Sequence, residues 1–319
     1  MVKRRNGTYN AQRSSYCAVV GDAEPQEKKN PSNSRDGGDS PFAVLGIKSS
    51  KVEGIRVRQH VNPLKRELQV PNEAPDWAEV FHDPSRPLLV DVGCGSGRFL
   101  LMKAKESPDS NFLGLDIRTQ LTDRSSKWAE ELGIENVAFI MANATISFNS
   151  LLDSYPGPIT VVSIQYPDPH FKKRHHKRRV VQAQLVEAIT STLEPGACVF
   201  LQSDVLEVAE HMRDQFERYA AAAYSPAESL HGTPEELEGR TFLASSSDVE
   251  AEGGAQAVGE EKVDDASSSE DESGDKEEVE STWHQWGWLR ENPMQVPTER
   301  EMYVLGDGLP VYRIMLERR

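Results

Sequence analysis

Between Asp91 and Gly97 the chain reads Asp-Val-Gly-Cys-Gly-Ser-Gly, directly after the apolar run 88–90. Glycines at alternate positions let a backbone turn sharply and approach a ligand without interference from Cβ atoms. A dinucleotide fingerprint needs G-x-G-x-x-G. The spacing here is G-x-G-x-G, and the carboxylate of Asp91 just before it disfavours a pyrophosphate. It suits instead a ligand that carries positive charge. S-adenosylmethionine has an ammonium, a sulfonium and no phosphate. A plain glycine turn after a strand is the bland alternative.

Two further polar residues follow at strand ends. Asp116, in Gly114-Leu115-Asp116-Ile117-Arg118, stands where a carboxylate can accept hydrogen bonds from ribose hydroxyls, or where it merely caps the next helix. Asn143, followed by Ala144, can meet an adenine edge as donor and acceptor. Three polar strand tips together predict one crevice at the carboxyl edge of a sheet. Beyond a fourth strand the chain reads Gln165-Tyr166-Pro167-Asp168-Pro169-His170-Phe171-Lys172, and then Lys173-Arg174-His175-His176-Lys177-Arg178-Arg179. Two prolines restrict the backbone around Asp168 and keep it out of a sheet ladder, which fixes a carboxylate beside the crevice. The basic run has enough charge to hold several phosphates. Elsewhere such a run is a solvated face or a localisation signal; its place after a cofactor-lining strand favours the nucleic-acid reading.

The elements that must carry these residues alternate. Strands are expected at 87–92, 112–117, 137–141, 159–165 and 198–202. Helices are expected at 100–105, 118–132, 179–193 and 206–223, the last two with apolar residues at three- and four-residue steps. The alternation predicts an α/β domain with a parallel sheet covered by helices. Residues 1–53 read as a disordered polar and basic tail, 54–224 as the core and 225–280 as an acidic low-complexity insert. Residues 281–319 return to the same sheet through a strand at 311–316.

Net charge is −15 over 319 residues, yet fourteen acids against two lysines between Asp248 and Glu280 account for −12, leaving −3 elsewhere. The global acidity therefore does not exclude a polyanionic partner. Cys17, Cys94 and Cys198 make neither a disulfide framework nor a zinc spacing, which points to a reducing compartment; no metal site is expected. No apolar run approaches the roughly 20 residues that span a bilayer. The basic, hydroxyl-rich start suits a transit peptide and an ordinary tail equally.

The residues from Pro167 onward resemble the signature of the tRNA (guanine-N7)-methyltransferase family, known in bacteria as the TrmB family: Pro-Asp-Pro, an aromatic residue and Lys, then Arg-His-x-Lys-Arg-Arg. The likeness covers about residues 91–216 and 298 onward. It implies a Rossmann-like seven-stranded methyltransferase fold, S-adenosylmethionine as cofactor, and tRNA as partner, modified at N7 of the variable-loop guanosine 46. It further implies cofactor contacts from Asp91, Gly93, Asp116, Arg118, Asn143, Ala144 and Gln165, with Asp168 as the catalytic aspartate. Lys172, Asp204 and Thr298-Glu299-Arg300-Glu301 would meet the substrate, and Arg174, His175, His176, Lys177, Arg178 and Arg179 the RNA. Bacterial members often carry an acid where Asn143 stands, so adenine recognition is expected to follow the eukaryotic variant; the acidic insert has no counterpart in the family pattern. The stretch Arg56-Val57-Arg58-Gln59-His60-Val61-Asn62-Pro63-Leu64 resembles plastid-type members of plants and algae, which leaves plastid and cytoplasm both open. An accessory subunit is neither implied nor excluded.

Guanine N7 carries an in-plane lone pair and no proton, so methyl transfer to it requires alignment and charge stabilisation rather than a general base. Two other readings compete. A nucleotide-dependent oxidoreductase is disfavoured by the glycine spacing. A non-enzymatic RNA-binding subunit is disfavoured by the intact Asp168 and the 298–301 stretch.

Overall fold

The computed structural model describes residues 41–47, 61–232 and 282–319. The expectations for residues 1–40, 48–60 and 233–281, which include the basic start and the acidic insert, fall outside the described residues.

Seven short runs form strands: β1 (Leu88–Val92), β2 (Asn111–Asp116), β3 (Val137–Met141), β4 (Ile159–Gln165), β5 (Cys198–Ser203), β6 (Tyr224–Pro226) and β7 (Tyr312–Arg318). They make one sheet in the order β3-β2-β1-β4-β5-β7-β6. β1 pairs in parallel with both β2 and β4, and the parallel ladder continues to β3 and β5. β7 enters antiparallel between β5 and β6. This is the Rossmann-like seven-stranded α/β architecture of S-adenosylmethionine-dependent methyltransferases.

Alternate residues of a strand face opposite ways, and here both faces are covered. Leu88, Val90 and Val92 enter one core while Leu89 enters the other; Val199 and Leu201 of β5 part from Cys198 and Phe200 in the same way. Burial on both sides is why these strands read as unbroken apolar runs. The first core receives α1 (Trp77–Val80), α4 (Ala144–Leu152), α5 (Ala183–Thr192) and α6 (Leu206–Ala220); the second receives α2 (Arg98–Glu106) and α3 (Thr119–Leu132). The chain winds outward from β1 in both directions, so the crevice opens at the carboxyl ends of β1 and β4, where strand order reverses.

Several boundaries differ from expectation. Residues 41–47, expected within a polar tail, contain a 3-10 turn at Pro41–Leu45 that buries Phe42 and Leu45 in the second core; fully burying one such side chain contributes about 1.5–3 kcal/mol. The segment expected to open the insert at 225 instead completes β6 and a short helix, α7 (Glu228–His231), before the described chain pauses at 232. Pro226 is compatible with a strand because β6 is an edge. Besides β6 and α7, the helices α1, α4 and α8 (Glu299–Gly306) were not foreseen. Cys94 is a buried free thiol.

Candidate active site

The glycine turn follows β1 with positive φ at Gly93, Gly95 and Gly97. At Gly97 a Cβ would stand 2.6 Å from Phe139 and 2.7 Å from the Ser125 hydroxyl, so no other residue fits. Beneath the turn, buried Asp91 accepts from Ser163 Oγ at 2.6 Å and Gln165 Nε2 at 3.2 Å. Both donors go to Oδ1, which leaves Oδ2 for a cationic ligand. Burial pushes its pKa up from 3.8 to about 6, against the two hydrogen bonds and with the help of nearby Asp116.

Asp116 closes β2 and is saturated. Its carboxylate accepts from Gly95 N at 3.0 Å, Arg118 N at 2.9 Å, Arg118 Nε at 2.8 Å and Arg118 Nη2 at 2.9 Å, which fills four acceptor positions. A ribose diol bonds here only where it displaces the Arg118 guanidinium. That group is 26% exposed and also lies in the field of Asp168, so it has somewhere to go.

Asn143 departs from its expected double role. Its Nδ2 donates to Pro63 O at 3.3 Å and Leu68 O at 3.0 Å, leaving only Oδ1 for an adenine amino group. Those carbonyls belong to a strap, residues 61–69, further tied by Gln69 Nε2 to Pro63 O at 2.7 Å. Val61, Pro63, Leu64 and Gln69 wall a cavity of about 260 Å³ shared with Gly93, Asp116, Arg118, Asn143, Ala144, Asp168 and His170. Sequence reasoning used this strap only as a family likeness. Its signal, a polar Asn-Pro pair far upstream, gives no hint of a contact made 80 residues away.

Asp168 stands exposed at the mouth of this cavity. Its loop is bracketed by two non-glycine residues in the left-handed region, Tyr166 (φ 49°) and His170 (φ 46°). The basic run then forms a 3-10 turn, Lys173–Arg178. Lys172, Arg174 and Lys177 are exposed and His175, His176 and Arg178 half-buried; Lys177 and Arg178 reach the cavity wall. Arg179, expected to bind RNA, is buried. It donates to Pro169 O at 3.0 Å and Glu207 Oε1 at 2.6 Å, so it anchors the Pro-Asp-Pro loop from below. His176 lies 3.5 Å from the same Glu207.

The residues 298–301 are not brought to the cavity. Thr298 accepts from Glu301 N at 3.1 Å and Glu301 accepts from Thr298 N at 3.4 Å. This reciprocal capping box starts α8; a Thr-x-x-Glu pattern has that reading on local grounds alone. Glu301 is 1% exposed and pairs with Arg313 at 2.6 Å. Glu299 pairs with Arg98 and accepts from Ser96, and Arg300 pairs with Asp204. Gln165, by contrast, connects the two regions: its Oε1 accepts from Gln202 Nε2 at 2.7 Å, and Gln202 Oε1 accepts from Arg313 Nε at 3.2 Å.

S-adenosylmethionine fits this donor and acceptor set. A cation-seeking carboxylate lies under the glycine turn, a second carboxylate ends β2, an open amide oxygen ends β3, and apolar strap residues face them.

The chain matches the family model described as "Putative methyltransferase" over residues 85–241. It is 40% identical over 275 residues to the tRNA (guanine-N(7)-)-methyltransferase of Synechococcus sp. strain JA-3-3Ab, covering 86% of this chain and 90% of that protein. The Synechococcus elongatus protein of the same description is 40% identical over 266 residues, covering 83% of this chain and 97% of its own length. That of Nostoc sp. strain PCC 7120 is 37% identical over 265 residues, with 83% and 94% covered. Identity at this level, sustained over nearly the full length of these relatives, means that the chain belongs to the tRNA (guanine-N(7)-)-methyltransferase family.

Proposed function

We propose that the protein transfers a methyl group from S-adenosylmethionine to N7 of a guanosine in tRNA, namely the variable-loop guanosine at position 46. The observation that carries this reading is the shared cavity: Asp168 stands at its mouth, Asp116 and Asn143 lie within, and exposed cations follow directly. When bound, S-adenosylmethionine supplies an electrophilic methyl group on sulfur.

The chain's own residues do the rest by position and charge. Asp91, Gly93, Asp116, Asn143 and Ala144 hold the cofactor, with Gln165 orienting Asp91 and Arg118 yielding Asp116 to the ribose. Asp168 accepts hydrogen bonds from the guanine edge and counters the positive charge that develops on the base; N7 has no proton to remove. Lys172, Arg174, His175, His176, Lys177 and Arg178 receive phosphates, and Arg179 positions the loop. Asp204, Thr298, Glu299, Arg300 and Glu301 act through α8, fixing its start against the glycine turn, rather than by touching the base.

The test is incubation of the full chain, alone, with bulk tRNA and methyl-labelled S-adenosylmethionine, followed by nucleoside analysis. Labelled 7-methylguanosine is expected. Label on another nucleoside, or none, overturns the assignment; label that appears only after addition of a cell extract points to an accessory subunit. The plastid-type likeness at residues 56–64 supports a plastid location. Expression of the full chain as a fluorescent fusion in algal cells tests it, and signal confined to the cytoplasm refutes it. Among the described residues no helix is long and apolar enough to cross a membrane.

A further inference from the structure

Phe171 is 66% exposed, beside a cavity lined by Tyr166, Pro167, Asp168 and His170 of the same loop. The backbone puts it there. Tyr166 and His170 both adopt positive φ, and among the described non-glycine residues only Gln295 does the same. Strain of this kind persists where the surroundings impose it. The bend at His170 sends that side chain to the cavity wall and leaves the next ring outside it.

A single exposed apolar residue ordinarily needs no explanation. This one lies three residues from Asp168, at most about 11 Å along the chain, and exposed Lys172, Lys173 and Arg174 follow it directly. One flat ring flanked by three cations offers no contiguous apolar area to a protein partner. It matches single-stranded nucleic acid, whose phosphates seek the cations and whose bases stack on aromatic rings.

We propose that Phe171 is a stacking platform for the nucleobase adjacent to the one delivered to Asp168. The proposal rests on the methyl-transfer reading above. A base that enters a cavity must leave its stack, which strips one face of its neighbour. Stacked bases are spaced about 3.4 Å apart along a strand, so that neighbour lies within reach of a ring this close to Asp168. Phe171 replaces the missing partner.

The test compares Phe171→Ala, Phe171→Leu and Phe171→Trp in the full chain, with tRNA affinity measured by titration at fixed salt. A stacked base contributes enough to predict that Phe171→Ala raises the apparent Kd about 5- to 150-fold. Phe171→Leu should recover little of this and Phe171→Trp most of it. The affinity for S-adenosylmethionine and the salt slope of tRNA binding should not change. All five native tryptophans are buried, so Trp at 171 adds the one exposed emitter. Its fluorescence should be quenched by acrylamide in the free protein and shielded once tRNA is added. Phe171→Ala binding within about twofold of wild type, or a tryptophan still open to acrylamide in the complex, overturns the stacking while wild-type methylation of tRNA leaves the enzymatic reading intact. Wild-type protein that makes no 7-methylguanosine overturns that reading instead, and the binding titration, which needs no turnover, still decides the role of Phe171.

Discussion

Replacing Asp116 with Ala tests the most crowded carboxylate of the site. Four donors converge on it within 2.8–3.0 Å, three of them from Arg118. A hydrogen bond to a charged acceptor contributes about 1.5–3 kcal/mol. Two ribose hydroxyls would gain twice that in an empty site, but here they displace the partly exposed Arg118 guanidinium, a pair worth at most about 1 kcal/mol. The exchange leaves about 2–5 kcal/mol, so Asp116→Ala should lower S-adenosylmethionine affinity at least about 30-fold. Calorimetric titration reads this directly, with a thermal melt to show that the variant is folded. A change below about threefold would remove Asp116 from the cofactor site. Arg118→Ala should act in the opposite sense. The partly exposed pair is worth at most about 1 kcal/mol, so unmasking the carboxylate should leave affinity unchanged or tighten it up to about fivefold. A tenfold loss there would refute the displacement argument and place the guanidinium on the cofactor itself.

Asp168→Ala should retain cofactor and tRNA affinity and lose about 10²–10³-fold in kcat, the scale of one preorganised electrostatic contact; near-normal turnover at saturating substrate would sink its role. Changing Lys172, Arg174, Lys177 and Arg178 to Ala should flatten the salt dependence of tRNA binding, by about 0.7–0.9 in slope for each phosphate that is no longer neutralised. An unchanged slope would put these cations off the RNA path. Asp91, with its carboxyl raised to about 6, ionises only above that pH. Affinity for a cationic cofactor should therefore drop as pH falls through 6. Its contribution to folding runs the other way, present below 3.8 and lost as pH rises through 6; cofactor binding flat from about pH 7 to 5 would contradict this. Glu301→Ala leaves Arg313 buried without its carboxylate, which should cost about 3–5 kcal/mol and lower the thermal midpoint by about 10 °C. Intact stability with weakened substrate binding would instead favour direct contact.

What the sequence disclosed followed from burial. The inner strands β1, β2, β4 and β5 are largely apolar because helices cover both faces, so they were legible to within a residue, as was the edge strand β3, and with them the strand ends that bear Asp91, Asp116, Asn143 and Gln165. β6 was not legible, because Tyr-Ser-Pro is three residues long and its proline reads as a loop; only pairing with β7 makes it a strand. The helix at 144–152 went unread although Phe148, Leu151 and Leu152 are spaced to face one core. The capping box at 298–301 was present as a pattern but was weighed as substrate chemistry. The strap over Asn143 and the anchoring of Arg179 by Glu207 depend on contacts between distant segments, which no local spacing encodes.

Those distant contacts also explain why the C-terminal return is part of the site although it does not line it. β7 enters the sheet beside β5, and its Arg313 lies level with Gln202 in that register. From there the buried polar groups run without a gap: Arg313 to Gln202, Gln202 to Gln165, Gln165 to Asp91 beneath the glycine turn. On the other side Arg313 holds Glu301, which caps the helix whose first residue, Glu299, grips Ser96 and Arg98 of that same turn. The glycine turn is thus fixed from below by a chain of amides and from the side by a helix start, both referred to one arginine. Buried polar groups are costly unless every member is satisfied, so a displaced β7 would unpair the whole set at once. The final strand thus joins, through Gln202, the side chains that hold Asp91 in place beneath the glycine turn.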